Sequence, residues 1–289
     1  IQYLYQLAHG PNTPFFGWIL LGILRMFSYV YEFGVCCKLD FYKSGLLKQK
    51  KLDCCVISIG NITVGGTGKT PTAQKVAVII KNMGYRVVIL NRGYRSHWDQ
   101  EMGVVSDGKK IFMTAYEAGD EAYLMAKTLP GVPVIIGKNR ALTGQFAVDK
   151  MNAEVIIMDD GYQHWHLYRD LDVVLVDTFN MFGNGCLLPR GTLREPLSHL
   201  DRAGLFLLTK VLSSAVRNYA ILWISTTEML LLLRVSIIQK ILWKLLTGIK
   251  AYMKMRKIFL SCRVKKLWSF LRSAILHRLS RLWPASALI

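Results

Sequence analysis

From Asp53 to Lys210 the chain alternates short β-branched apolar runs with longer stretches whose apolar residues recur every three or four positions. The runs are CCVISIG (54–60), VVIL (87–90), VPVII (132–136), VIIM (155–158), DVVLV (172–176) and LFLL (205–208). Runs this short and this continuously apolar predict strands buried on both faces, as in a parallel sheet. Between them, 71–83, 118–129 and 138–151 have the length and periodicity of helices. Such alternation predicts an α/β domain over 53–210, a parallel sheet with flanking helices. The stretch 92–114 is too long for a tight connection and contains Ser106-Asp107-Gly108, which predicts a β-hairpin insertion.

Ahead of this domain, after an N-terminal segment 1–14, residues 15–37 read FFGWILLGILRMFSYVYEFGVCC, broken only by Arg25 and Glu32. At about 1.5 Å per residue this predicts a membrane helix about 35 Å long. Arg25 and Glu32, seven apart, fall on one helix face and are placed to pair or to face protein. A basic linker, 38–52, follows with Lys38, Lys43, Lys48, Lys50 and Lys51, so the downstream domain is expected on the cytoplasmic side.

Composition changes the picture at the other end. The formal charge is +18, yet residues 211–289 carry 14 of the 37 Lys and Arg against one acid, Glu228. This atypical basic tail holds one glycine, Gly248, and one proline, Pro284. Lys240, Lys244, Lys250, Lys254 and Lys257 recur at helical spacing, as in a basic amphipathic helix on an anionic membrane. A stretch translated out of frame would also lose acids, Gly and Pro together, and both readings stand. Nucleic-acid binding is not expected, because the basic residues lie in an apolar tail with no recognition motif. Six cysteines without a CxxC pair exclude a zinc ribbon, and His164 and His166 have no third ligand at metal spacing.

The chemistry concentrates after three of the strands. Gly60-Asn61-Ile62-Thr63-Val64-Gly65-Gly66-Thr67-Gly68-Lys69-Thr70-Pro71 joins the first strand to the first helix. A glycine-rich turn there lets backbone N–H groups of residues 63–70 converge on phosphates, with Lys69 on the outer phosphates and the Thr70 hydroxyl on Mg²⁺. The strict form of the motif has glycine where Thr63 stands, so this is a variant loop. ATP or GTP is the expected ligand.

The run 155–158 leads into Asp159-Asp160-Gly161-Tyr162-Gln163-His164. A carboxylate at the end of a buried strand beside a phosphate loop is suited to holding magnesium. Two consecutive acids on an extended strand point apart, so one is expected to serve the metal and the other the loop or substrate. Gly119-Asp120-Glu121 opens a helix, where acids suit the dipole and Asp120 is a candidate base. Arg92 and Arg95 in NRGYRS, and Arg190 and Arg194 in LLPRGTLREP, are candidates for clamping phosphate.

Taken in order, GNITVGGTGKTP, NRGYRS, GDE, DDGYQH and LLPRGTLREP resemble the tetraacyldisaccharide 4′-kinase family of lipid A biosynthesis. The resemblance implies a P-loop kinase of the bacterial inner membrane with its catalytic domain on the cytoplasmic face. It would use ATP and Mg²⁺ to phosphorylate the 4′-hydroxyl of tetraacyldisaccharide 1-phosphate, giving lipid IVA. It further implies nucleotide contacts from Thr63, Val64, Gly65, Gly66, Thr67, Gly68, Lys69 and Thr70. Asp120, Lys69 and Asp160 would be catalytic; Thr70, Asp159 and Asp160 would hold the metal. Gln163, His164, Arg92, Arg190 and Arg194 would face substrate. The family's FPDH-like segment has no counterpart after Lys210, and His277 does not supply one.

Overall fold

A computed structural model describes residues 15–210 and the backbone of 220–222. Helix α1 (Phe15–Lys43) leads into β1 (Cys55–Gly60), α2 (Lys69–Asn82), β2 (Val87–Asn91) and β3 (Met102–Ser106). Then come α3 (Ala115–Ala118), α4 (Asp120–Thr128), β4 (Val134–Gly137), α5 (Arg140–Met151), β5 (Val155–Asp159) and β6 (Leu171–Asp177). A 3₁₀ turn (Leu197–Arg202), β7 (Leu205–Thr209) and the short β8 (Ala220–Leu222) complete the order.

The strands form one sheet in the order β3-β4-β2-β5-β1-β6-β7-β8. From β4 to β7 every pairing is parallel; β3 and β8 close the two edges antiparallel. All six apolar runs are strands of this sheet, and alternation along each strand divides the core in two. Ile57 and Ile59 of β1 pack with Ala73, Ala77 and Ile80 of α2 and Ala122 and Met125 of α4. Val56 faces the other way, onto Ala141 and Ala147 of α5. Beyond α5 that second face is covered by Phe182, Leu187, Leu193 and Leu200, so a looped segment takes the place of a helix.

The helix expected over 118–129 is α4, Asp120–Thr128, set off from the short α3 before it by Gly119 at φ 84°. Three local expectations change. Stretch 92–114 is not a free hairpin. Its strand β3 joins the main sheet against β4, and only the turn between Ser106 and Ile111 closes on itself. The apolar helix runs on to Lys43, six residues into the basic linker. Arg25 does not pair with Glu32: its guanidinium donates to Tyr29 Oη at 3.1 Å and contacts Cys186 Sγ at 3.3 Å. Both readings of the tail, apart from the backbone of 220–222, lie outside the described residues.

Candidate active site

The carboxyl ends of parallel strands are where α/β sheets bind ligands, and the turn 61–68 leaves β1 there. Gly65 (φ 127°) and Gly68 (φ 82°) supply the left-handed backbone that folds it back onto α2. Thr63 needs no such freedom. It is buried and bridged antiparallel to Leu193, which explains how a β-branched residue replaces the expected glycine. Asn61, which sequence reasoning passed over, staples the turn: Nδ2 donates to Thr63 Oγ1 (3.2 Å) and Thr67 Oγ1 (2.9 Å), and Oδ1 accepts from Lys69 Nζ (3.3 Å). Val64, Gly65 and Gly66 form the exposed tip. Gly68 caps α2 with no side chain, which leaves that positive helix end open to an anion.

The two acids after β5 do point apart. Asp159, 2% exposed, accepts from Thr70 Oγ1 at 3.3 Å and Asn91 Nδ2 at 3.1 Å, both on Oδ2. Its Oδ1 is buried with no hydrogen-bond partner. Burial, and then the charges of Glu121 and Asp160, push this carboxyl up to about 6 against the pull of Thr70 and Lys69. An orphaned buried carboxylate oxygen beside a threonine hydroxyl is a donor set that fits a hard divalent cation.

Asp160 takes a left-handed backbone (φ 51°) and turns to the opposite side. Its carboxylate lies 3.7 Å from Lys69 Nζ and accepts from Arg194 Nη1 at 3.1 and 3.0 Å. Arg194 also approaches Gln163 Oε1 at 3.5 Å, and Gln163 Nε2 donates to the Asn61 carbonyl at 2.9 Å. Thus Lys69, Asp160, Gln163 and Arg194 form one network around the phosphate turn.

The remaining candidates stand at different places. Asp120 is the first residue of α4, exposed, with no hydrogen bond or ion pair among the described residues. Its neighbour Glu121 is the acid whose charge reaches Asp159. A Cβ on Gly119 would meet the Tyr94 carbonyl at 2.5 Å, so the NRGYRS turn abuts the start of α4. Arg92 is exposed and lines a cavity of about 390 Å³ with Ser96, Trp98, Lys138 and Asn139.

Arg190 is not drawn into the acidic network. Its N–H donates to Ser28 Oγ at 3.1 Å, and its guanidinium lies 3.9 Å from Cys186 Sγ. His164 is half-buried with an unpartnered Nε2, and burial together with Arg140 and Arg169 pushes it down to about 4. Arg140, also missed from sequence, is 3% exposed and donates to the Gly137 carbonyl at 3.1 Å. Burial and Arg92 lower it to about 10 while Asp160 and Asp159 pull the other way. An arginine opening a helix directly after a buried strand was the signal available for it.

Behind the network, Glu195 is buried against Arg202 (2.7 and 3.0 Å), with His199 Nδ1 at 3.0 Å. The Arg202 guanidinium lies between the rings of Tyr162 and Trp165, 3.6 and 3.7 Å from their centroids, and donates to the Tyr162 carbonyl at 2.7 Å. The DDGYQH turn is therefore clamped from below by the LREP segment.

The family model described as tetraacyldisaccharide-1-P 4′-kinase matches residues 20–256. The chain belongs to this family. The match runs past Lys210 into the basic stretch. The tetraacyldisaccharide 4′-kinase of Syntrophus aciditrophicus is 46% identical over 188 residues, 65% of this chain and 50% of that protein. That of Halothermothrix orenii is 46% identical over 210 residues, 72% of this chain and 54% of that protein. A crystal structure of LpxK from Aquifex aeolicus, described as the apo form in complex with ATP, superposes with a TM-score of 0.63 at 40% identity. It covers 70% of this chain and 62% of that one. The chain thus spans about half the length of the curated tetraacyldisaccharide 4′-kinases it matches.

Proposed function

We propose that this chain binds ATP with Mg²⁺ and transfers the γ-phosphate to the 4′-hydroxyl of tetraacyldisaccharide 1-phosphate, forming lipid IVA. The observation that carries the reading is the unpartnered Asp159 Oδ1, buried beside the Thr70 hydroxyl at the start of α2. Thr70 and Asp159 would hold Mg²⁺, which would offset phosphate charge there, while Asp160, expected to share the metal, instead holds Lys69 and Arg194. The 63–70 backbone and Lys69 cradle the phosphates, and Arg194 neutralises charge from the side of Asp160. Asp120, exposed and unencumbered at the rim, accepts the proton of the sugar hydroxyl. Gln163 and Arg92 face the acceptor sugar and its phosphate. Arg190 lends its backbone N–H to Ser28 of α1, and His164 stays neutral beneath the turn.

A substrate with four acyl chains stays in the bilayer, so the enzyme has to reach it there. Helix α1 is long and apolar enough to cross a membrane. Its outer face exposes Trp18, Ile23, Met26, Phe27, Val30 and Phe33. Its inner face, from Ser28 to Cys36, is bound to Leu187, Arg194 and His199. A span would drag those polar partners into hydrocarbon, whereas a helix lying in the interface leaves them in water. We therefore place α1 flat on the anionic cytoplasmic surface of the inner membrane, with Lys38, Lys43, Lys48, Lys50 and Lys51 towards headgroups.

The test is transfer of label from γ-labelled ATP to tetraacyldisaccharide 1-phosphate in mixed vesicles, with the product's new phosphate located by mass and NMR spectroscopy. A magnesium-dependent 4′-phosphate is expected. A chain that binds ATP and releases inorganic phosphate without labelling the lipid contradicts the reading.

A further inference from the structure

We infer that Ser28 and Tyr31 of α1 are positioning residues for the nucleotide site, so that the membrane helix also braces the phosphate turn. The inference rests on the reading that the turn 61–70 binds Mg·ATP.

The brace is a strap of chain, 186–194, held between helix and turn. On the turn side, Val64 N–H donates to the Thr192 carbonyl at 2.8 Å and Arg194 N–H to the Ile62 carbonyl at 2.7 Å. Leu193 bridges Thr63 between them. The strap is therefore an added strand edge on the phosphate turn, and it ends in the arginine that grips Asp160. On the helix side, Ser28 is 4% exposed although α1 is otherwise largely open. Its hydroxyl accepts from Arg190 N–H at 3.1 Å and shares its one proton between the Leu187 carbonyl at 2.9 Å and the Leu24 carbonyl, one turn back in α1, at 3.0 Å. One turn further on, Tyr31 Oη donates to the Arg194 carbonyl at 3.0 Å. A buried serine in an apolar helix that takes a backbone N–H of the loop and reaches a loop carbonyl is a specific tether rather than incidental packing.

The consequence is geometric. Leu187 and Leu193 seat the strap in the core against Val174, Val176 and Phe206, while its polar edges are set by the partners at either side. Helix α1 fixes Leu187, Arg190 and Arg194 from outside; the turn then pairs with a strap already in register. Loss of either tether lets Arg194 swing from Asp160 and loosens Val64 and Thr63 at the loop tip.

Full-length protein and its Tyr31→Phe, Ser28→Ala, Arg194→Ala and Tyr31→Phe/Arg194→Ala variants are titrated with ATP and Mg²⁺, with far-ultraviolet circular dichroism as the fold control. Phe33→Leu, on the outer face of the same helix and away from the strap, is the comparison. Tyr31→Phe and Ser28→Ala are each expected to weaken Mg·ATP binding about threefold to tenfold, the worth of one hydrogen bond, with unchanged helix content. Phe33→Leu should leave affinity alone. The Tyr31→Phe effect should shrink in the Arg194→Ala background, since the part carried through the Arg194 guanidinium is already lost there. Wild-type affinity in Tyr31→Phe, or a loss that adds in full to that of Arg194→Ala, overturns the inference. Wild-type chain that binds no Mg·ATP removes the nucleotide reading itself, and bound ATP without lipid phosphorylation removes the kinase reading while leaving the brace standing.

Discussion

Arg194 Nη1 stands 3.0 Å from Asp160 Oδ2, and the same carboxylate lies 3.7 Å from Lys69 Nζ. One acid is thus shared between the phosphate-loop lysine and an arginine arriving from 125 residues further along the chain. Both cations are available to an incoming triphosphate while Asp160 keeps them apart and aimed. Arg194→Ala is expected to lower transfer about tenfold to a hundredfold, the range of a charged hydrogen bond. Arg194→Lys should recover little of it, because a point charge cannot span Asp160 and Gln163 together. Steady-state kinetics of the two variants check this.

Asp159 makes a prediction that separates metal from nucleotide. With Oδ1 unpartnered and the carboxyl buried, its negative charge is tolerated only with a cation close by. Wild-type affinity for ATP should rise about tenfold or more on adding Mg²⁺. In Asp159→Asn that gain should disappear while ATP alone binds no worse, since a repelling charge has gone. Titrations with and without the ion measure both terms.

Glu195 predicts stability rather than activity. Burial works to raise this carboxyl, but hydrogen bonds from His199 and Arg202 outweigh it and hold it below the ordinary 4.5. A depressed folded-state value stabilises the protein above the ordinary value, and that contribution fades as pH falls through the depressed one. Glu195→Gln leaves Arg202 only its longer ion pair with Asp172, at 4.0 Å, and is expected to cost about 3 kcal/mol. Thermal unfolding should show the loss at pH 7 and a smaller difference from wild type near pH 3.

His164 predicts a pH dependence in a higher window. Its value falls from 6.5 unfolded to about 4 folded, so the unfolded chain binds the extra proton between those limits. Stability should therefore decline as pH drops from about 6.5 towards 4, by roughly 2 kcal/mol after allowing for partial exposure of the ring. His164→Gln should flatten that slope. Melting temperatures across pH 4–7 decide it.

Much of the sheet was legible in the sequence because its strands are buried on both faces, and continuous β-branched runs have few other places to go. The phosphate turn and the divergent pair Asp159–Asp160 were legible for the same local reason, a strand end followed by a glycine-rich or acidic turn. What could not be seen was set by tertiary approach. Nothing in Thr63 announces that Leu193 will pair with it and remove the need for glycine. Asn61 and Asn91 matter through Thr67 and Asp159, 6 and 68 residues away, and their own neighbours in sequence carry no signature. Gly119 separates α4 from the short α3 before it at the point where the Tyr94 carbonyl comes close, which no local pattern announces. Arg190 looks like a phosphate clamp beside Arg194, yet its backbone N–H is tied to Ser28 of α1 and its guanidinium lies against Cys186, apart from the acidic network.

The most direct measurement compares Asp120→Asn with Lys69→Ala for Mg·ATP affinity and for phosphate transfer to the lipid disaccharide. Asp120→Asn should bind nucleotide within about twofold of wild type and transfer at least about a hundredfold more slowly, as expected on removing a positioned base. Lys69→Ala should lose both. An Asp120→Asn enzyme that phosphorylates the disaccharide at the wild-type rate would contradict the account.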